Sequence, residues 1–346
     1  MHRAIIAGWL LVCSCLTVPA SFAETPLRAC VTVPELGGLV TAIGGDQVTV
    51  TVFAKGTEDP HYLDARPSFI KVLSEADLYV QVGLDLEAGW APLLLRSSRN
   101  PRVQPGRSGF IDASRVIEAM EIPSGPVDRS MGDVHPQGNP HYLTDPLNGL
   151  KVAALLRDRM SALRPDKQKY FAENFSDFRH RLGTAMVGPE LAARYDFEKL
   201  ALLQEHGRLQ AFLQEQGDAE HLSGWLGKMI PHDGAELITY HKSWPYFARR
   251  FGLTIVAHLE PKPGIPPGPG HISQVIATIE SRRIPVLLVE PWTGRQATEA
   301  VAKKTGIHVV RGATSAASGE EPYDYLAAMT TLIDQVAAGL EKLRHE

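Results

Sequence analysis

Thiols are scarce in this chain. Of its three cysteines, Cys13 and Cys15 fall within the first fifteen residues and only Cys30 lies beyond them. One thiol can neither close an internal disulfide nor build a thiolate cluster, so any metal site must draw on His, Asp or Glu. Cys30 sits in the apolar run Ala29 to Val33 and reads as a buried strand residue. An excess of positive charge is also missing, with 35 Lys and Arg against 39 Asp and Glu and a net charge of -4. A phosphate backbone calls for concentrated basic side chains, so nucleic acid is not an expected partner. There is no His-Glu-x-x-His and no Gly-x-Ser-x-Gly, and no Lys-Ser or Lys-Thr follows the glycines of Pro261 to Gly270. The common zinc-protease, serine-hydrolase and phosphate-loop signatures are thereby removed. Internal repeats and low-complexity tracts are absent, and after Val18 no apolar run approaches the length that spans a bilayer.

What is present begins with an export signal. Met1, His2 and Arg3 precede the apolar run Ala4 to Val18, and the small residues Ser21 and Ala23 suit a signal-peptidase site before Glu24. Residues 1–23 are therefore expected to be a signal peptide and the mature protein to be periplasmic. Neither Cys13 nor Cys15 follows a Leu-small-small pattern, so a lipid anchor is not expected.

A chain of 346 residues exceeds what one core organises, which predicts two domains. Cys30 to Val33, Leu36 to Ile43, Val48 to Phe53 and Ala76 to Val82 alternate strand-like and helix-like patterns, as βαβ packing requires. Asn100 to Gly138 is rich in Pro, Gly and Ser and reads mostly as loop, with a short apolar piece at Val116 to Ile122. Leu155, Leu156, Met160 and Leu163 then recur at helical spacing before Pro165, and Lys167 to Leu182 carries Tyr170, Phe171, Phe175, Phe178 and Leu182 on one face. Strands are predicted at Glu236 to His241, Thr254 to Leu259, Ile284 to Glu290 and His308 to Arg311, with helices at Ile272 to Ser281 and Gln296 to Thr305 between them. The fold class is α/β, with two lobes: 24–164, a connecting helix at 165–185, and 186–346.

Two tetrads carry the chemistry. Asp59-Pro60-His61-Tyr62 and Asn139-Pro140-His141-Tyr142 repeat a polar-Pro-His-Tyr pattern in otherwise dissimilar surroundings. Pro fixes its own φ and extends the residue before it, so each imidazole is presented from a stiff turn, as a metal ligand must be. Asp59, Asp64, Asn139 and Asp145 are near enough in sequence to accept a hydrogen bond from a second ring nitrogen. His241 ends a predicted strand, where open α/β sheets place their ligands. His258 and His271 read as structural residues or as neighbours of the ligands.

With these residues, the chain resembles the periplasmic metal-binding components of zinc and manganese ABC transporters, the group that includes high-affinity zinc-binding proteins and manganese-binding adhesins. The resemblance spans nearly the whole mature chain. It rests on Asp59-Pro60-His61 with Arg66-Pro67-Ser68, Gly138-Asn139-Pro140-His141-Tyr142 with Asp145-Pro146, and His241 before Tyr246-Phe247 and Phe251-Gly252-Leu253. Glu260-Pro261 leading into Gly270-His271-Ile272 completes the set. It implies two α/β lobes joined by one long helix, a metal in the cleft between them, and delivery to an inner-membrane ABC permease by a monomeric protein that is not an enzyme. His61 and His141 would come from the first lobe and His241 from the second. Manganese members carry a carboxylate at the position of His241, so an imidazole there favours zinc over manganese.

Two departures accompany the resemblance. The long His-rich loop of many zinc members is reduced to Asp128 to Gln137, with His135 alone, and Arg311 to Gly319 lacks the carboxylate that usually supplies a fourth ligand. Glu290, at the end of a predicted strand, is the leading replacement, with water, His135, Glu320 or Glu321 as rivals. A secreted three-histidine zinc hydrolase, or a metallochaperone or adhesin without a transporter, is the competing expectation.

Overall fold

The structure, a computed structural model, describes residues 25–128, 131–312 and 323–342. The expected signal peptide lies outside them, as do Glu320 and Glu321. Two four-stranded sheets organise the chain, and every pairing in both is parallel. The first contains β1 (Leu27–Val31), β2 (Val48–Val52), β3 (Leu78–Gln81) and β4 (Phe110–Asp112) in the order β2-β1-β3-β4. The second contains β5 (Glu236–Thr239), β6 (Thr254–His258), β7 (Val286–Val289) and β8 (His308–Arg311) in the order β6-β5-β7-β8, the same topology repeated. In each sheet the order reverses direction between the first and third strands, which opens a crevice at the carboxyl ends.

Helices α1 (Pro34–Gly44), α2 (Pro67–Glu75) and α3 (Ala91–Ser98) belong to the first lobe. Each has a proline as its first or second residue, where the missing N–H costs nothing in the first turn. Between the sheets the chain runs through α4 (Pro146–Leu163), the twenty-residue α5 (Gln168–Val187), and the shorter α6 (Pro189–Arg194), α7 (Phe197–Glu205), α8 (Leu209–Gln216) and α9 (Gly224–Met229). The second lobe adds α10 (Pro245–Phe251), α11 (Pro269–Arg282), α12 (Arg295–Thr305) and α13 (Tyr325–Glu341).

Strand alternation decides how these layers pack. Ala29, Val31, Leu78 and Val80 of the first sheet, and Leu237, Val286, Leu288 and Val310 of the second, all enter one central core. Phe178 and Leu182 of α5, Leu156 of α4 and Ile333 of α13 fill the space between the two sheets. The opposite strand faces bury Cys30, Tyr79 and Phe110 in one lobe and Ile238, Leu287 and Val289 in the other. The lobes therefore share a continuous apolar layer. Cys30 is a free, buried thiol whose pKa burial pushes up to about 12.

A strand was not expected within Asn100 to Gly138, yet β4 lies there. Its three residues are too few to display a period, and Gly109 precedes them directly. The predicted helix from Lys167 continues beyond Leu182 to Val187, where Gly188 at φ 87° ends it.

A buried ion pair crosses between the lobes. Arg250 on α10 donates from Nε to Asp145 Oδ1 at 2.9 Å and from Nη2 to Oδ2 at 3.0 Å, while Asp145 caps α4 by accepting from Leu147 N–H at 3.0 Å. Breaking such a pair strands a buried charge, so Arg250→Met is expected to lower unfolding free energy by about 3–5 kcal/mol in urea titration. Adding Asp145→Asn should restore part of it; a double variant as unstable as the sum of the singles would contradict this coupling.

Candidate metal centre

Each tetrad proves to be a capped turn. Asp59 Oδ1 accepts from the His61 backbone N–H at 3.0 Å, and Asn139 Oδ1 accepts from that of His141 at 2.9 Å. The side chain two residues ahead of each histidine thus fixes the backbone that carries it. His61 lies between β2 and α2, where Trp90 Nε1 donates to Pro60 O at 2.9 Å. His141 precedes the turn Tyr142–Thr144, anchored by Tyr142 Oη donating to Val82 O at 2.7 Å. His241 follows the carboxyl end of β5, and Thr239 Oγ1 donates to its carbonyl at 2.8 Å.

These turns bring the three rings into a nearly equilateral triangle. Ring centroids are separated by 5.3 Å for His61 and His141, 5.6 Å for His61 and His241, and 5.5 Å for His141 and His241. One ligand atom from each lies within 4.8 Å of the others. His61 and His241 are buried, and His141 Nε2 is a buried nitrogen without a hydrogen-bond partner. A lone pair left unmatched in that position is what a metal ion would satisfy.

Carboxylates behind two of the rings set their tautomers. Asp59 Oδ1 meets His61 Nδ1 at 2.7 Å, and Glu260 Oε2 meets His241 Nδ1 at 2.7 Å. With the proton held on Nδ1, each Nε2 is free to ligate. Of the four partners the sequence offered for this task, Asp59 performs it, Asn139 serves a backbone N–H instead, and Asp145 is committed to Arg250. The role of Glu260 was missed. Its one sequence signal was the Glu260-Pro261 pair at a strand end, nineteen residues from the ring it serves.

Burial holds the His141 pKa well below its ordinary value, helped by His61, His241 and His135. Burial pulls His241 down as well, but its hydrogen bond to Glu260 and the charges of Glu290 and Glu260 outweigh it, and the pKa rises. Burial would raise Asp59; its hydrogen bond and charge interaction with His61 lower it overall.

Glu290 follows β7 in a fully buried position but does not join the group of three within 4.8 Å. Its Oε1 accepts from Trp244 Nε1 at 2.8 Å, and its Oε2 has no hydrogen-bond partner. Burial raises its pKa against the opposing pull of His241. His135 Nε2 lies 3.3 Å from His61 Nε2 but is likewise outside that group. His258 and His271 are engaged elsewhere, His258 Nδ1 at 2.7 Å from Thr239 Oγ1 and His271 Nε2 at 3.0 Å from the His258 carbonyl.

Comparison with known proteins adds to this geometry. A family model described as zinc-uptake complex component A, periplasmic (ZnuA), matches residues 30–217 and 207–339. The metal ABC transporter substrate-binding lipoprotein FimA of Streptococcus parasanguinis is 22% identical over 342 residues, covering 98% of this chain and 96% of that protein. The manganese-binding lipoprotein MntA of Halalkalibacterium halodurans is 22% identical over 313 residues, covering 89% and 86% respectively. A crystal structure of ZnuA superposes with a TM-score of 0.67 at 22% identity, covering 91% of this chain and 99% of that one. The expectation that a lipid anchor is unlikely is corrected here: FimA and MntA are both named as lipoproteins. A place outside the cytoplasm agrees with the family description.

Because Asp59 and Glu260 orient rings rather than ligate, Asp59→Ala and Glu260→Ala are each expected to weaken divalent-metal binding about 10- to 100-fold. Competition against a chromogenic chelator measures this; wild-type affinity in both variants would show that the tautomers are set otherwise.

Proposed function

We propose, from the premise that this chain belongs to the ZnuA family of periplasmic zinc-uptake components, that it captures one divalent transition-metal ion and delivers it to an ABC permease. His61, His141 and His241 are the ligands. The observation that carries this reading is the buried, unpartnered His141 Nε2 facing two imidazoles already held with Nδ1 protonated. The cargo is zinc ahead of manganese, because an all-nitrogen set suits zinc while manganese prefers oxygen. The protein acts as a single chain, loading and releasing metal without turning it over.

Charge balance supports the assignment. A divalent ion held by neutral imidazoles brings two positive charges into a buried site, and such charge must be matched nearby. Asp59 and Glu260 lie directly behind two ligands, and the charge of Glu290 also acts on His241. Glu290 is a counter-charge in this reading rather than the fourth ligand: its Oε1 accepts from Trp244, and its unpartnered Oε2 stands outside the group within 4.8 Å. Asp59 and Glu260, each held on a ring nitrogen, are not free to act as the base that a hydrolase needs.

Isothermal titration with zinc should show one site per chain in the wild type and a loss of more than about tenfold in His61→Ala, His141→Ala and His241→Ala. Unchanged affinity in all three would sink the reading. Acidity supplies a separate check. The His241 pKa is raised, so this ring still carries a proton at pH values where an ordinary histidine has lost it, and the ion must expel that proton. Affinity should therefore be steady above the His241 titration and fall as pH drops through it; a pH-independent zinc affinity would contradict this.

A further inference from the structure

We propose that His135 is the fourth metal ligand, closing a four-imidazole site in place of the carboxylate that this chain lacks between Arg311 and Gly319; this rests on the three-histidine reading above.

The first support is a distance. Two nitrogens bound to one tetrahedral zinc at about 2.0–2.1 Å stand about 3.3–3.4 Å apart. His135 Nε2 and His61 Nε2 are 3.3 Å apart, with ring centroids 5.3 Å apart, equal to the His61 and His141 spacing.

The second is orientation. Asp59 holds the His61 proton on Nδ1, so the His61 Nε2 that His135 Nε2 meets is the nitrogen presenting a lone pair.

The third is the way the His135 loop is held. Tyr62, next to His61, donates from its hydroxyl to Asp133, and Asp133 N–H donates to Pro263 O at 2.9 Å. The loop is thereby tied to the first lobe beside one ligand and to the second lobe beside Glu260. Glycines make the approach possible: a Cβ on Gly132 would meet Pro263 O at 2.2 Å, and one on Gly264 would meet Asp133 Oδ2 at 2.2 Å. His135 lines the same recess as His141 and His241. It meets His61 most closely and stands outside the group of three within 4.8 Å, so ligation draws the ring further in.

Asp59 and Glu260 are engaged with rings and Glu290 Oε1 with Trp244, while the unpartnered Glu290 Oε2 stands outside the group within 4.8 Å. A fourth imidazole also suits the chain's preference: four nitrogens favour zinc over manganese more strongly than three nitrogens and an oxygen.

Zinc K-edge X-ray absorption on the full chain loaded with one equivalent of zinc counts imidazoles directly. The expected result is four in the wild type and three in His135→Ala, with a zinc affinity lowered more than about tenfold and a smaller change for manganese. His135→Asp, which returns an oxygen donor, should recover part of the zinc affinity and strengthen manganese binding. Three imidazoles in the wild type, or the same spectrum in wild type and His135→Ala, would overturn the assignment while leaving the three-histidine site intact. If His61→Ala keeps the wild-type spectrum and affinity, the underlying reading fails and this one with it.

Discussion

The ion pair between Asp145 and Arg250 sets the spacing on which the three-histidine cluster depends. Asp145 lies four residues beyond His141, at the start of α4, and Arg250 lies nine beyond His241, within α10. Holding these groups at 2.9 and 3.0 Å fixes the loop that carries His141 relative to the one that carries His241. Smaller links follow the same seam. Tyr246 Oη donates to Asn139 O at 2.9 Å and accepts from Met120 N–H at 2.8 Å, and Asn139 Nδ2 donates to Lys242 O at 2.7 Å. The polar residue of the second tetrad therefore supports its own histidine and touches the residue after His241.

This arrangement follows from parallel sheets. Parallel strands are buried on both faces, so polar side chains that must reach one another collect at the strand ends. His61 and His241 follow β2 and β5, and His141 follows β4 by way of a longer loop. Because the two sheets share one central core, their carboxyl ends are held in fixed relation by packing as well as by the ion pair. Ordering entropy that a flexible site would lose on binding is lost once, during folding.

Much of this was legible in the sequence, because the relevant signals were local. The strands at Val48, Thr254, Val286 and His308 advertised themselves by apolar runs, and α5 by its aromatic face. The tetrads were legible because Pro60 and Pro140 constrain the backbone irrespective of surroundings. β4 was not, since three residues hold no period, and the helices from Pro189 to Met229 went unassigned in a stretch dense with Gln, Glu and Arg. Glu260 and Glu290 show the limit most clearly. Both are carboxylates at strand ends, and only three-dimensional packing distinguishes the one that meets an imidazole from the one that meets an indole. The lipidation expectation failed for a related reason, resting on a short consensus around Cys13 and Cys15 rather than on the whole chain.

Cys30 carries a last consequence. Outside the cytoplasm a thiol is exposed to oxidants and to soft metals that seek sulfur. Here the sulfur lies buried with Tyr79 and Phe110 on the face of the first sheet opposite the central core, and burial raises its pKa, which disfavours the reactive thiolate. Among the described residues, therefore, no thiol stands ready to pair with another chain or to compete with nitrogen for the cargo.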